Sequence, residues 1–360
     1  MADASAGAGR AQEFEKALGA SDTSVASFEA HTRSPIEKAQ HFLHSNPAAV
    51  PLIVLLLSLI FFGIAVGGRF FSAFTLTLIL QQVAIVGIVG AAQTLVILTA
   101  GIDLSVGAIM VLSSVVMGQF TFRYGLPPSL AILCGFAVGA LCGLLNGLLV
   151  ARMKLPPFIV TLGTWQILLA ANFLYSANET IRSQDIAAQA PILQFFGQTF
   201  RIGGAVFTFG VIAMVLLVLL LWYVLNHTAW GRHVYAVGDD PDAAELAGVN
   251  VQRMLITVYT ISGLICALAG WAIIGRLGSV SPTSGQFANI ESITAVVIGG
   301  ISLFGGRGSI LGMLFGALIV GVFSLGLRLI GTDPQWTYLL IGTLIIVAVA
   351  VDQWIRKVAG

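Results

Sequence analysis

The segment NHTAWGRHVYAVGDDPDAAELAGVNV, residues 226–251, is the longest polar interval inside an otherwise apolar sequence. Long apolar runs flank it on both sides, so we expect it to lie outside the membrane between two spans. Its composition predicts a loop followed by a short helix, with Asp239 or Asp240 as the cap, Pro241 in the first turn and Gly248 as the stop. We interpret the segment as a docking element for a soluble partner, and the alternative is a plain solvated loop.

The composition places the chain in the membrane. It is 57% hydrophobic and only 9% charged, whereas soluble domains carry roughly 25% charged residues. The fold class is therefore an all-α polytopic membrane protein. A net charge of +1 gives no reason to expect nucleic acid or an acidic substrate. The three cysteines lie in apolar runs and the histidines have no metal-type spacing, so neither disulfides nor a metal site is expected.

The chain divides into a polar tail and a transmembrane domain. Residues 1–47 predict a cytoplasmic N-terminal tail, because they lack the basic start and early apolar core of a cleaved signal peptide. Residues 48–355 predict a transmembrane domain of about ten helices, and residues 178–203 a polar loop within it. The expected spans are about 49–67, 74–98, from after GIDLSVG (101–107) to 121, 128–150, 157–176, 205–225, 254–275, 292–303, 309–329 and 335–351.

Basic residues predict the orientation of these spans. With ten crossings, 11 of the 17 lysines and arginines fall on the face that carries both termini and segment 226–251, which indicates the cytoplasm. The run at 292–303 is short for a crossing, so a broken or re-entrant helix is an alternative. GIDL (101–104) and GISL (300–303) echo each other. This topology gives both copies the same orientation, whereas an inverted repeat needs them opposed, so the echo is either chance or a sign of a miscounted crossing.

Polar residues within the spans are the candidates for a solute path, because they are costly in a bilayer. Asp103 and Ser105 suit the N-cap of a half helix, and lining the path is the alternative. Uncharged donors and acceptors elsewhere suit a neutral polyhydroxylated solute, although they could equally join helix to helix. These candidates are Gln81, Gln82, Gln93, Asn146, Thr161, Thr164, Gln166 and Asn172.

Several energy sources are excluded by what the sequence lacks. No lysine completes the phosphate-binding pattern G-x-x-x-x-G-K-[ST], so the chain does not hydrolyse ATP by that route. It shows no intramembrane relay of carboxylates or histidines, and no nucleophile–base pair for a membrane-embedded enzyme. Transport is therefore driven by another chain or runs downhill, as in a secondary sugar transporter or facilitator that needs no ATPase.

Three separate motifs carry a family resemblance. GIDLSVGAIMVLSS (101–114), GRHVYAVGDDPDAAELAGVNV (231–251) and the stretch 281–321 are similar to the permease subunits of bacterial ABC importers for monosaccharides, of the ribose, xylose and fructose type. The resemblance covers about residues 50–352 and is strongest to fructose-type members. One departure is Ser324 with Leu325, where an Asn-Gly pair is expected.

The resemblance implies a fold like that of type II ABC importers and a set of partners in the bacterial inner membrane. Two permease copies would form the path, a cytoplasmic ATPase with its ATP and magnesium would bind a coupling helix at about 228–251, and a periplasmic sugar-binding protein would deliver the solute. The chain itself would hold no cofactor. In this segment the glycines are expected to set a tight loop, and the alanines a small face that fits a cleft. The expected coupling residues are Gly231, Arg232, Tyr235, Gly238, Asp239, Ala243, Ala244, Ala247 and Gly248.

Overall fold

The computed structural model describes residues 48–359, apart from Gly203 and Gln286. The tail predicted over residues 1–47 lies outside the described residues. The helices are α1 Ala49–Val66, α2 Ala73–Leu98, α3 Val106–Phe122, α4 Pro128–Ala151, α5 Pro157–Ser176, α6 Ser183–Gln189, α7 Phe209–His227, α8 Ala229–Asp239, α9 Pro241–Leu246, α10 Val251–Leu277, α11 Ala288–Ile298, α12 Ile310–Ile330 and α13 Pro334–Ala359. Short 3-10 turns cover Gly67–Arg69 and Pro191–Gly197.

Seven of the described helices are long and apolar enough to cross a membrane: α1, α2, α4, α5, α7, α10 and α12. Three shorter apolar helices lie at Val106–Phe122, Ala288–Ile298 and Gln335–Ala350. The 11 residues of α11 rise only about 16 Å, against an apolar thickness of about 30 Å. The run predicted as a crossing at 292–303 therefore corresponds to a short helix that ends at Ile298, followed by turns and irregular chain.

The region between α5 and α7 corrects two predictions. Residues 178–203 form no simple loop, because they contain α6, a 3-10 turn and strand β1, Thr199–Ile202. This strand pairs antiparallel with β2, Ala205–Thr208, so the predicted span at 205–225 begins only at Phe209. Aromatic residues favour the hairpin, since the rings of Phe200 and Phe207 stack across it with centroids 5.8 Å apart.

Glycines bring the helix backbones together, as their spacing predicts. A Cβ added at Gly139 would collide with the carbonyl oxygen of Gly263, and one added at Gly143 with that of Tyr259. These contacts join α4 to α10. Helices α10 and α12 are the most buried of the long helices. Gly316 contacts the carbonyl of Ala295 in the same way and joins α12 to α11. The small residues therefore decide which helices are neighbours in the bundle.

Candidate functional site

Between the end of α7 and the start of α10, the segment 226–251 forms two consecutive short helices, α8 and α9. The Thr228 hydroxyl accepts a hydrogen bond from Gly231 N at 3.2 Å and so caps α8. One residue after α8, Asp240 Oδ1 accepts from Asp242 N and Ala243 N, each at 3.0 Å, and caps α9. Gly248, with φ +87°, ends the element. The cap at Asp240 and the stop at Gly248 are confirmed, but the loop predicted before α9 is wrong, because residues 229–239 are helical.

Helix α8 is fixed to the bundle by close contacts on its inner side. Gly231 packs on the backbone of Leu225, and Gly238 packs on the Leu98 carbonyl and the Gly306 nitrogen, with no space for a Cβ at either position. The Tyr235 hydroxyl donates to the Gly308 carbonyl at 3.0 Å, and burial raises the pKa of this tyrosine. The glycines thus serve close helix contact and not the tight loop that the sequence predicts.

The expected coupling residues divide into an inner and an outer set. Those facing solvent are Arg232, Asp239, Ala243, Ala247 and Gly248. Those facing the chain's own core are Gly231, Gly238, the half-buried Tyr235, and Ala244 with 4% exposure. The prediction that Ala244 belongs to the open alanine face is therefore wrong, since its side chain packs inward.

The most exposed large apolar side chain in the described part of the chain was not expected from the sequence. Leu246 on α9 has 91% of its surface exposed. Its neighbours on this short helix are alanines and acids, and α9 lies outside the spans, so lipid does not explain the exposure. An isolated leucine in a polar segment was the signal that could have identified it.

Two loops meet beneath α8. Gly306 N donates to the Leu98 carbonyl at 3.0 Å, which joins the 99–105 loop after α2 to the 299–309 loop after α11. A Cβ on Gly305 would contact both Ala100 and the Gly238 carbonyl. The chain just before GIDL and the chain just after GISL therefore meet at one end of the bundle, which we call the α8 end, in agreement with the shared orientation of the two segments in the predicted topology.

Asp103 organises the 99–105 loop and the start of α3. Its Oδ1 accepts from Ser105 N at 2.7 Å and from the Ser105 hydroxyl at 2.6 Å, and its side chain is 1% exposed. Ser105 is the N-cap residue of α3, although its own hydroxyl makes no capping bond. Asp103 thus stabilises the start of the helix from two residues earlier, which supports the capping interpretation.

Side chains from four helices hold this loop in place. Gln93 of α2 forms two hydrogen bonds with the loop backbone: its amide nitrogen donates to Asp103 O at 2.9 Å, and its amide oxygen accepts from Asp103 N at 3.3 Å. Asn146 of α4 donates to the Ser105 hydroxyl at 2.8 Å. Thr161 of α5 donates to Ile102 O at 2.9 Å, and Asn289 of α11 to Leu104 O at 3.4 Å. Three predicted path residues, Gln93, Asn146 and Thr161, are therefore brought together here as supports for a break in the helices.

The other predicted path residues lie apart from this cluster and from each other. Gln81 is half-buried and donates to Val206 O at 3.4 Å, and Thr164 bonds within its own helix. Gln166 is exposed on α5. Buried Asn172 donates to Pro282 O at 2.8 Å and lines a cavity of about 240 Å³. Gln82 lines a different cavity of about 100 Å³ between α2, α11, α12 and α13.

A larger cavity opens at the α8 end. It has a volume of about 770 Å³ and lies between α9, the turn from α4 to α5 and the start of α10. Lys154, Asp242 and Glu245 supply charges at its rim. Among the described ranges 48–202, 204–285 and 287–359, no group of three His, Cys, Asp or Glu side chains could hold a metal ion.

The comparisons with known proteins agree with one another. Residues 75–349 match the family described as branched-chain amino acid transport system / permease component. The chain is 80% identical to the fructose import permease protein FrcC of Rhizobium meliloti over 360 residues, which is 100% of both chains. It is 38% identical to the ribose import permease protein RbsC of Bacillus subtilis (strain 168), over 76% of this chain and 83% of the relative.

A third relative is the galactose/methyl galactoside import permease protein MglC of Haemophilus influenzae. The two chains are 33% identical over 89% of this chain and 98% of the relative. No solved structure matches the chain.

Proposed function

Because the chain belongs to the permease-component family of the branched-chain amino acid transport type, we propose that it carries fructose across the bacterial inner membrane in an ATP-driven importer. It is a transmembrane permease subunit of a sugar importer, since its relatives are import permeases for fructose, ribose and galactose. The observation that carries the choice of sugar is the 80% identity, from end to end, with a fructose import permease.

The energy would come from a cytoplasmic ATPase subunit that docks on α8 and α9. This chain lacks a phosphate-binding loop, so ATP and magnesium would be bound by the partner. The exposed Leu246, flanked by Ala243 and Ala247, supplies an apolar anchor on a rigid support. Short helices that dock in a groove depend on a few such anchors.

The assembly would contain two copies of this chain, with a periplasmic sugar-binding protein at the end opposite α8 and both termini in the cytoplasm. A polar surface on a spanning helix supports a path between copies. Gln166 is exposed on α5, where a lipid-facing position would be costly for an amide. Glu291 and Arg328 are likewise exposed on apolar helices α11 and α12.

Uptake of labelled fructose tests this proposal. Cells that lack their own fructose uptake would express the chain with its ATPase and binding protein, or with an ATPase subunit that cannot hydrolyse ATP. We expect accumulation only with the active ATPase, and competition by unlabelled fructose. Equal uptake with the inactive ATPase would instead identify a facilitator, and uptake of no monosaccharide would refute the sugar function.

A further inference from the structure

A small polar cavity between α2, α11, α12 and the start of α13 has no role in the contacts described at the α8 end. Its volume is about 100 Å³. Polar side chains converge on it from four helices, in contrast to the apolar surfaces around it. They are Gln82, Glu291, Ser324, Arg328, Thr337 and Tyr338. We call this the Glu291 cavity.

The Glu291 cavity lies along the C-terminal half of α12. Its wall includes Ala317, Val320 and Gly321, which occupy the middle of the 21-residue helix α12. Gly321 is roughly 16 Å from the start of α12 and roughly 14 Å from its end, at 1.5 Å per residue. Arg328 lines the cavity from the last turn of α12, so the cavity extends from the middle of this helix to its end.

The side chain of Glu291 has no direct hydrogen-bond or ion-pair partner among the described residues. Its carboxylate makes no hydrogen bond and no ion pair within 4 Å with the described residues, and it is exposed in the isolated chain. Its place in the first turn of α11 stabilises the negative charge only in part. An ionised group among apolar spanning helices is retained where it faces a water-filled path or a ligand.

The neighbouring groups favour a neutral polyhydroxylated ligand over a cation. Arg328 lines the same cavity, and the charge of Arg276 also acts on Glu291. One guanidinium group that lines the cavity and a second that acts on Glu291 both repel a cation. A carboxylate accepts two hydroxyl protons, while a guanidinium and an amide donate to hydroxyl oxygens, and neighbouring hydroxyls of a sugar need both kinds of partner.

We propose that the Glu291 cavity is a contact site for the transported monosaccharide, where Glu291 accepts hydrogen bonds from sugar hydroxyls and Arg328 and Gln82 donate to sugar oxygens. The inference rests on the sugar-importer function proposed above and names residues for it. At about 100 Å³ the cavity is too small to enclose a hexose. Since Glu291 and Arg328 are exposed, the cavity forms one wall of the path and the sugar passes along it.

The test uses the complete importer with Glu291→Gln in the permease, and Glu179→Gln as the matched control. Glu179 is exposed in the segment after α5, so its substitution makes the same chemical change away from the cavity. Loss of a charge-assisted hydrogen bond is expected to raise the KM for fructose about 10- to 100-fold at equal permease abundance. The control should keep the wild-type KM. Arg328→Lys, which keeps the charge and loses the planar fork, should raise the KM in the same direction.

Deoxy analogues of fructose separate contact from support. The wild-type importer should show a raised KM for the analogue that lacks the hydroxyl bonded by Glu291, and this penalty should disappear in Glu291→Gln. Suppose that Glu291→Gln lowers only the abundance or Vmax, while its KM for fructose and its KM penalty for the deoxy analogue stay as in the wild type. That result would overturn the contact site and leave fructose import standing. Failure of the wild-type importer to take up any monosaccharide would overturn the proposed function, and the site with it.

Discussion

Replacing Leu246 by alanine should weaken binding of the ATPase subunit without affecting the fold. The side chain is 91% exposed on α9, so the free permease gains little from it. Docking in a groove would bury it, and the alanine variant would lose the burial of about three carbon groups. At about 0.8 kcal/mol for each, the loss is roughly 2 kcal/mol, or about 30-fold in affinity.

Titration of the purified permease with the ATPase subunit measures this effect, for the wild type and for Leu246→Ala. Ile202→Ala is a suitable control, because Ile202 is also an exposed apolar residue (63%) but lies in the hairpin before α7, at the end opposite α8. The control should bind as the wild type does. We further expect Leu246→Ala to lower uptake in parallel with the affinity.

An unchanged affinity for Leu246→Ala would refute the role of α9 as an anchor. Ala243→Trp provides an independent check, because Ala243 is exposed and a bulky ring there should obstruct seating in the groove. Ala244 is not a suitable test position, since a larger side chain would disturb its packing inside the chain itself. Wild-type behaviour of both Leu246→Ala and Ala243→Trp would leave the segment as a connection between α7 and α10.

Three further outcomes follow from the same geometry. Gly238→Ala should lower the melting temperature in a thermal-stability assay, because its Cβ would collide with the Leu98 carbonyl. Gly342→Ala is the control and should leave the melting temperature unchanged, since a Cβ at Gly342 meets nothing within 4 Å. Asp103→Asn keeps an acceptor for Ser105 N and should retain most of the folded protein and most of the uptake. Asp103→Leu removes the acceptor and should lose about 0.5–2 kcal/mol of stability. If Asp103→Asn abolished uptake at normal abundance, the charge itself would have a function. The purified chain alone should release no phosphate from ATP, and hydrolysis in a preparation free of other ATPases would contradict this.

Local signals explain where the sequence predictions succeeded. Apolar run lengths give the edges of most long helices to within a few residues, since hydropathy is a property of the segment itself. The cap at Asp240, the proline after it and the stop at Gly248 are also local, because each bond spans only two or three residues. The motifs identified the importer family for the same reason, since they are contiguous in the chain.

Predictions that depended on distant partners were less successful. The composition of the segment predicts a loop where α8 lies, and the glycines of α8 are unfavourable in an isolated helix. In the structure Gly238 lets α8 approach Leu98 and Gly306, and Val234 and Val237 are buried by the bundle. The same tertiary burial turned Ala244 inward and left Leu246 exposed, which composition does not reveal.

The sequence by itself determined that this chain is a helical membrane permease, where most of its spans begin and end, and how the coupling segment is capped. Only the tertiary structure decided that Gln93, Asn146 and Thr161 hold the loop around Asp103, and that Glu291 and Arg328 line the same cavity. The physical reason is range: hydropathy and capping act within a few residues, whereas the partner of a buried polar group is chosen by how helices far apart in the chain pack together.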